Sequence, residues 1–306
     1  MSAQVTSSLL MIRPKFFREN EETRASNTFQ KSNSGIVEEK AIAEFDLIVK
    51  RLQKNGIYII ESENENSEAP DAVFPNNWVS FLHDGRTVLY PMMAESRRKE
   101  RSERILELVT DKFVSGEVLD LTHFEKEGKF LEGTGSIVFD HIYKIAYACI
   151  SPRTNEDVLN YLCSVIGYKK FIFHAEYNKA PVYHTNVVMH IGEKCAVVCL
   201  ESIPDAKERN ELRRMLAFTG HEVIPITLSQ MSRFAGNMLE VRNQSGKRFT
   251  LLSSTAIRSL HLPEINTIAE STELLSFDIP TIEQSGGGSI RYMLAEIFFA
   301  LKTVNG

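Results

Sequence analysis

The side chains of this chain that could do chemistry stand in five short polar motifs. One is His184-Thr185-Asn186, which precedes a run of β-branched and apolar residues and so lies at the mouth of a predicted hairpin. A histidine and an amide at such a place can be aimed at a ligand by a rigid scaffold. The other four are DAVFPNNW from Asp71, LEGTGS from Leu131, SPRTN from Ser151 and SGGGSIRYM from Ser285. Each motif alone is typical of a turn or a helix start, but five on a repeating scaffold indicate a site.

That scaffold is predicted from the hydrophobic pattern. Val187, Val188 and Met189 come before Gly192-Glu193-Lys194, and the run CAVVCL comes after it. Apolar runs on both sides of a polar turn predict a buried hairpin. Further strand pairs are predicted for WVSFLH with TVLYP, SIVFD with KIAYACI, and NMLEV with FTLLS.

Helices that lead into strands recur between these pairs. The first four predicted helices end near Gly56, Gly116, Gly167 and Gly220, at intervals of 60, 51 and 53 residues, and the third of them is predicted to start at Thr154. A fifth helical stretch, 265–275, leads into FDIPTIEQ without a glycine. A period of this length is typical of a repeat architecture. We therefore predict an α/β fold, a five-bladed propeller of ββαβ units around a central site. A doubly wound open sheet is the alternative, but neither G-x-G-x-x-G nor G-x-x-x-x-G-K-[ST] occurs.

Composition narrows the class of protein. The 306 residues are 43% hydrophobic and 25% charged, which is typical of a globular protein, and no apolar run is long enough to cross a bilayer. A net charge of −5 argues against nucleic acid as the main partner. The four cysteines lie in apolar runs, as reduced thiols of a cytoplasmic protein do. We expect a flexible N-terminus over 1–8, a single propeller domain over 9–306, and no cofactor or metal, and the sequence leaves a homo-oligomer open.

The motifs also resemble those of a known family. MIRP, DAVFPNNW, LEGTGS, YHTNVVM, CLESI, FAGNMLEV and GGGS-x-R-x-M resemble the guanidino-group-modifying (pentein) superfamily of arginine deiminases, dimethylarginine hydrolases and amidinotransferases. Over nearly the whole chain they are most similar to its citrulline-utilising hydrolase branch. The resemblance implies a five-bladed propeller and a small-molecule substrate. It implies His184 as proton shuttle, Glu132 as orienting carboxylate, and Arg153 as a clamp for the substrate carboxylate, which suits the planar fork of a guanidinium.

Three departures from the deiminase pattern bear on the substrate. Asn186 stands where deiminases have an aspartate after the histidine, Asn76-Asn77 where they have a carboxylate, and Gly133-Thr134-Gly135 where they have Gly-Gly-Asp. A guanidinium group carries only donors, whereas a neutral ureido group offers a carbonyl acceptor as well and suits an amide side chain. The departures favour citrulline over arginine. Asp71 and Asn237, the latter in FAGNMLEV, complete the predicted substrate-binding set.

A fourth departure concerns the nucleophile. The resemblance implies a cysteine between the arginine and the methionine after the glycine run, but the sequence is Arg291-Tyr292-Met293. A phenol ionises near pH 10 and a thiol near 8.5, and the thiolate is far more nucleophilic. Three hypotheses stay open: hydrolysis of a ureido amino acid such as citrulline, binding of such a ligand by a catalytically silent paralogue or sensor, and, weakest, an activity on arginine.

Overall fold

The computed structural model describes residues 3–24, 27, 29–31 and 37–303. Within them, five three-stranded sheets share one pattern, in which an antiparallel pair is followed by a helix and by a third strand parallel to the second. The α/β class predicted from the sequence is confirmed. The described part of the chain contains no helix that is long and apolar enough to span a bilayer.

Four of the sheets follow one another along the chain. The first unit consists of strands Val79–Phe81 and Thr87–Leu89, helix Glu103–Lys112 and strand Val118–Asp120, and the second of strands Val138–Asp140 and Ile145–Cys149, helix Glu156–Ile166 and strand Lys169–Phe173. The third unit consists of strands Met189–Ile191 and Cys195–Val198, helix Ala206–Phe218 and strand Glu222–Pro225. The fourth consists of strands Leu239–Arg242 and Arg248–Ser253, helix Leu262–Ala269 and strand Glu273–Phe277.

The fifth sheet joins the two ends of the chain. Strand Ala295–Glu296 pairs antiparallel with Ser8–Arg13, which pairs parallel with Tyr58–Glu63 after helix Val37–Lys54. That helix buries an apolar face that includes Phe45 and Leu52. The sheet therefore completes its ββαβ order only with a strand from the far end of the sequence.

Short helices and 3-10 turns connect these units. They are Glu21–Arg24, Pro75–Asn77, Glu95–Arg98, Thr122–Glu127, Gly133–Ser136, Thr185–Val188, Leu200–Ser202, Leu228–Met231, Ser254–Ser259, Pro280–Gly286 and Ile290–Met293. A separate hairpin pairs Glu176–Tyr177 with Ala180–Pro181. Most of the predicted motifs lie on these connections, at the ends of the strands.

Three local predictions need correction. Val187 and Val188 belong to the helical turn Thr185–Val188, and the hairpin strand begins only at Met189. The fifth strand is Glu273–Phe277, so FDIPTIEQ supplies its end and the helix Pro280–Gly286, because Pro280 suits a first helical turn. The helix predicted from Thr154 is capped by Asn155, whose side chain accepts from the amides of the first turn.

The predicted flexible N-terminus is packed where it is described. Gln4 is buried and donates to the carbonyl oxygens of Phe139 and Ile191 at 2.9 and 3.3 Å. Val5 and Thr6 are also buried. Met1 and Ser2, and residues 304–306 at the end of the predicted domain, lie outside the described residues. The single-domain division stays a prediction.

Candidate active site

A carboxylate and a histidine form the centre of the candidate site. Glu132 and His184 each stand directly before a helical turn, and both side chains are fully buried. His184 Nε2 lies 2.9 Å from Glu132 Oε2. An ionised carboxylate can only accept, so Nε2 carries the proton and Nδ1 presents its lone pair. The histidine is thus held in the tautomer whose free nitrogen can take up a proton.

Two glycines let the loop after Glu132 approach this histidine. Gly133 has φ +48°, and a Cβ there would lie 2.2 Å from the carbonyl oxygen of Asn76. A Cβ on Gly135 would lie 2.8 Å from His184 Nδ1. Any larger residue would push the loop away. The glycines of LEGTGS are therefore required by close approach and not by flexibility.

Two buried guanidinium groups fix the charge of the pair. Arg153 and Arg97 place Nη1 at 3.5 and 4.0 Å from Glu132 Oε2. Burial alone would raise the pKa of Glu132, but Arg153, the hydrogen bond from His184 and Arg97 together hold that pKa well below its usual range. Burial lowers the pKa of His184 to about 4, against the opposing pull of Glu132. At neutral pH the pair is carboxylate and neutral imidazole.

Arg97 is a site residue that the sequence analysis missed. It forms two hydrogen bonds with buried Glu100, at 2.7 and 3.0 Å, and donates to Asn77 Oδ1 at 2.7 Å. Burial raises the pKa of Glu100 to about 7. Arg97 comes from the run ESRRKE, which is typical of an exposed helix. No local pattern marks which of its cations turns inward.

Arg153 faces the cavity from the other side. Its guanidinium lies 5.1 Å from the ring centroid of Tyr183, and Nη2 donates to the carbonyl oxygen of Thr23 at 3.1 Å. The Tyr183 hydroxyl in turn donates to the carbonyl oxygen of Gly287 at 2.8 Å. These contacts join the SPRTN motif to the glycine run before Tyr292.

Asp71 brings a second carboxylate to the cavity. Its Oδ2 accepts from Asn20 Nδ2 at 2.8 Å and from Thr23 Oγ1 at 3.4 Å. Its Oδ1 is buried with no hydrogen-bond partner. Burial raises the pKa of Asp71 in spite of Arg97 and Arg153. A free buried oxygen of this kind is suited to an incoming N–H donor.

Tyr292 occupies the place where the family resemblance implies a nucleophile. It lies in the turn Ile290–Met293, with its hydroxyl oxygen 3.2 Å from His184 Nδ1. Its ring packs edge-on to Phe74, with the centroids 5.7 Å apart. Burial raises the pKa of Tyr292 well above its usual value near 10. The cavity left beside the ring measures about 10 Å³, roughly the space of one water molecule.

The structure brings most of the predicted residues together. Five of them line the cavity beside Tyr292: Asp71, Asn77, Arg153, His184 and Tyr292 itself. Glu132 lies behind His184. The cavity is also lined by Thr23, Asn27 and the run Gly286–Gly288, which the motif search did not place beside Arg153.

The prediction that Asn186 lies in this cavity is wrong. It lines a neighbouring cavity with His190 and Arg291, where both of its side-chain polar atoms are buried and unpaired. On a strand, positions 184 and 186 would share a face. Here His184 keeps an extended backbone, while Asn186 belongs to the helical turn Thr185–Val188, so the alternation of a strand does not relate the two side chains. The amide therefore faces away from the imidazole.

Two other predicted binding residues have different partners. Asn76 does not line the cavity, and its Nδ2 donates to Thr134 Oγ1 at 3.1 Å. Asn237 donates to the carbonyl oxygen of Asn186 at 2.9 Å and accepts from the backbone amide of Arg291 at 3.2 Å. Asn237 thus connects the loop after His184 to the loop before Tyr292. Its amide is used in holding the backbone.

No cysteine replaces the implied nucleophile. All four are buried, and none lines the cavity. Burial raises the pKa of Cys149 and Cys195 to about 12, and that of Cys163 and Cys199 to about 11. A thiol with such a pKa is inert at neutral pH. Among the described residues, no group of three or more His, Cys, Asp or Glu side chains is placed to hold a metal ion.

The fold and the polar cavity define a member of the guanidino-group-modifying (pentein) superfamily. Residues 13–299 match the family model described as N,N dimethylarginine dimethylhydrolase, eukaryotic, and the chain belongs to that family. No curated protein matches the chain in sequence.

Solved structures of low sequence identity share the fold. One is the N-terminal domain of ArgZ, an arginine dihydrolase from cyanobacteria, as a cysteine-to-serine variant bound to substrate. Its TM-score is 0.74 and its sequence identity 14%, and the match covers 95% of this chain and 97% of that chain. Another is a cysteine-to-serine variant of DDAH from Pseudomonas aeruginosa in complex with citrulline. Its TM-score is 0.67 and its sequence identity 16%, and the match covers 96% of this chain and 99% of that chain. AgrE with L-arginine, a cysteine-to-alanine variant, has TM-score 0.75 and 14% identity, with 97% and 41% covered.

Proposed function

We propose that this chain binds a ureido amino acid such as citrulline and does not hydrolyse it. The observation that carries the proposal is the hydrogen bond between Tyr292 and His184 Nδ1, at the position where the family resemblance implies a cysteine. The proton-accepting pair is present, and the group that would attack the substrate is a phenol. The ligands bound in two structures of similar fold, arginine and citrulline, agree with a small amino-acid ligand.

The chemical argument against turnover rests on the proton. For Tyr292 to attack a ureido carbon, its hydroxyl proton would have to pass to His184 Nδ1. Burial raises the pKa of the phenol and lowers the pKa of the imidazole, so both shifts oppose that transfer. Each pKa unit of mismatch adds about 1.4 kcal/mol to the cost. The buried pair is therefore a poor proton relay for a phenol.

The charge of the cavity favours a neutral ureido group over a guanidinium. Arg97 and Arg153 both line it, while the carboxylate of Glu132 lies behind His184 and is already bonded to it. A cationic ligand group would meet two guanidinium groups at short range. We propose Arg153 as the partner of the ligand carboxylate and Asp71 Oδ1 as the acceptor for its N–H donors.

A second candidate, arginine, has one observation in its favour. Asp71 Oδ1 is a buried carboxylate oxygen without a partner, and a guanidinium group would satisfy it with charge. AgrE binds L-arginine in a structure of similar fold. Citrulline is favoured if the positive charge of the two arginines dominates the cavity, and arginine is favoured if the negative charge of Asp71 dominates it.

Binding requires Tyr292 to move. The remaining volume of about 10 Å³ is far smaller than an amino acid, so the phenol ring must swing away from His184 before a ligand enters. The affinity of the unmodified chain is then the affinity of the open arrangement multiplied by the fraction of molecules that are open. We expect Tyr292→Ala to bind more tightly than the unmodified chain.

Calorimetry with citrulline and arginine tests the proposal. Citrulline should bind Tyr292→Ala at least tenfold more tightly than arginine does, and Arg153→Gln in that background should weaken citrulline binding. Arg213→Gln, an exposed arginine on helix Ala206–Phe218, is the matched control. Tighter binding of arginine would favour the second candidate. If neither citrulline nor arginine binds to the unmodified chain or to Tyr292→Ala, both candidate functions are overturned.

We also infer that the five sheets are blades of a ring. Support comes from the hydrogen bonds of Gln4 to Phe139 and Ile191, which lie in two different sheets, and from the bridge between Phe81 and Ile297. The completion of the fifth sheet by Ala295–Glu296 is the kind of end-to-end contact that a ring needs.

A further inference from the structure

A second cavity is lined by Phe29 and not by His184. Its volume is about 490 Å³, against about 10 Å³ for the cavity beside Tyr292. One wall is the hairpin that pairs Glu176–Tyr177 with Ala180–Pro181, and the floor is the start of helix Pro280–Gly286. A volume in this range holds a small organic ligand. None of the motifs in the sequence pointed to it.

Aromatic rings form one side of this second cavity. Phe29 stacks on Tyr177 with the centroids 5.6 Å apart and the planes 20° apart, and it contacts Phe234 at 5.4 Å. Phe234 has φ +63°, a left-handed conformation that is rare for a bulky side chain. Strain of this kind persists only where the surroundings hold it, and it concentrates at ligand sites. The rings offer a flat face to a planar molecule.

Cationic side chains form the rim. Lys31, Arg233 and Arg258 line the cavity, are exposed, and have no ion-pair partner among the described residues. Within the described part of the chain, Glu283 is the one carboxylate that lines it, and it is buried and accepts from Ser289 Oγ at 2.6 Å. The charge balance of the second cavity is therefore positive, and two of its cations are guanidinium forks suited to an oxyanion.

We propose that the second cavity binds a planar aromatic anion of about mononucleotide size. The aromatic ring would lie against Tyr177 and Phe29, and the anionic group, a phosphate or a carboxylate, would lie between Arg233 and Arg258. Stacking on an aromatic side chain and a charge-assisted hydrogen bond each contribute measurably to affinity. The proposal does not depend on the proposed function of the cavity beside Tyr292.

Calorimetry on the full chain with three probes tests the site. Adenosine monophosphate carries a ring and a phosphate, anthranilate a ring and a carboxylate, and inorganic phosphate the charge alone. We expect saturable binding of adenosine monophosphate or anthranilate, with the tighter of the two identifying the anionic group. Inorganic phosphate should bind at least tenfold more weakly than the tighter aromatic probe.

Variants assign that binding to the second cavity. The double variant Arg233→Gln with Arg258→Gln should weaken the tighter probe by at least tenfold, and Tyr177→Ala should weaken it as well, while Arg213→Gln should leave it unchanged. All four positions are at least partly exposed, so the fold should persist. Absence of binding by both aromatic probes at millimolar concentration, or equal binding by the double variant and Arg213→Gln, would overturn the proposal.

Discussion

The two walls of the candidate active site differ in what they retain. On one wall, Glu132 and His184 form a buried pair with the proton on Nε2, and Arg97 and Arg153 hold the carboxylate ionised. On the other wall, the turn Ile290–Met293 presents a phenol, and the cavity beside its ring measures about 10 Å³. Under the proposed function, the first wall offers a proton acceptor, and the second wall lacks a thiol to attack carbon.

This difference agrees with the proposed function, in which the pocket binds its ligand without attacking it. The pair at Glu132 is surrounded by buried charges, so changing one of them leaves the others uncompensated. The Tyr292 wall contributes one neutral hydrogen bond and apolar packing. We therefore expect the first wall to contribute more to the stability of the fold than the hydroxyl of Tyr292 does.

Substitution of the carboxylate should have the largest effect. Glu132→Gln removes the anion between two buried guanidinium groups, and breaking a buried pair typically costs about 3–5 kcal/mol. Urea unfolding at pH 7.5 would measure the loss, with the exposed Glu107→Gln as the matched control. A loss below about 1 kcal/mol would mean that the charges of this wall are not coupled to folding.

Acid should weaken the same wall by a smaller amount. The pKa of His184 falls from 6.5 to about 4 on folding, so the folded chain binds fewer protons than the unfolded chain. Its contribution is fully present above pH 6.5 and is lost as the pH falls towards 4. Between pH 7.5 and 4.5 this amounts to about 2–3 kcal/mol.

Unfolding of two histidine variants at both pH values isolates this contribution. Other buried histidines, His141 and His190, also have lowered pKa values and add to the acid sensitivity of the parent chain. His184→Gln should reduce that sensitivity, whereas His123→Gln at an exposed position should not. Equal sensitivity in the two variants would show that the imidazole of His184 is not held neutral by burial.

Removal of the phenol hydroxyl should have the smallest effect. Tyr292→Phe deletes one neutral hydrogen bond to His184 Nδ1 and leaves the ring packed, which costs about 1 kcal/mol. Tyr161→Phe, on the exposed side of helix Glu156–Ile166, is the control for the substitution itself. A cost as large as that of Glu132→Gln would erase the distinction between the two walls.

The helix-to-strand units were predictable, because hydrophobic periodicity marks them, and the motifs that resemble a known family predicted that Glu132 and His184 belong to one site. It missed Arg97, since a run of charged residues does not reveal which side chain is buried against distant carboxylates. It misplaced Asn186, because a single helical turn replaced the expected strand and rotated the amide out of the cavity. The strand order of the fifth sheet could not be predicted from local sequence patterns either, because one of its three strands, residues 295–296, lies far along the chain from the other two.

The central claim is that Tyr292 alone separates this pocket from a hydrolase, and ammonia release tests it most directly. Ammonia and ornithine would be measured from citrulline, and in parallel from arginine, for the unmodified chain, Tyr292→Cys and Tyr292→Phe. A thiol at this position could pass its proton to the neutral His184, whereas a buried phenol cannot. We predict no release above the blank by the unmodified chain or Tyr292→Phe, and measurable turnover of citrulline by Tyr292→Cys. Robust ammonia release by the unmodified chain, with a covalent adduct on Tyr292, would contradict the claim.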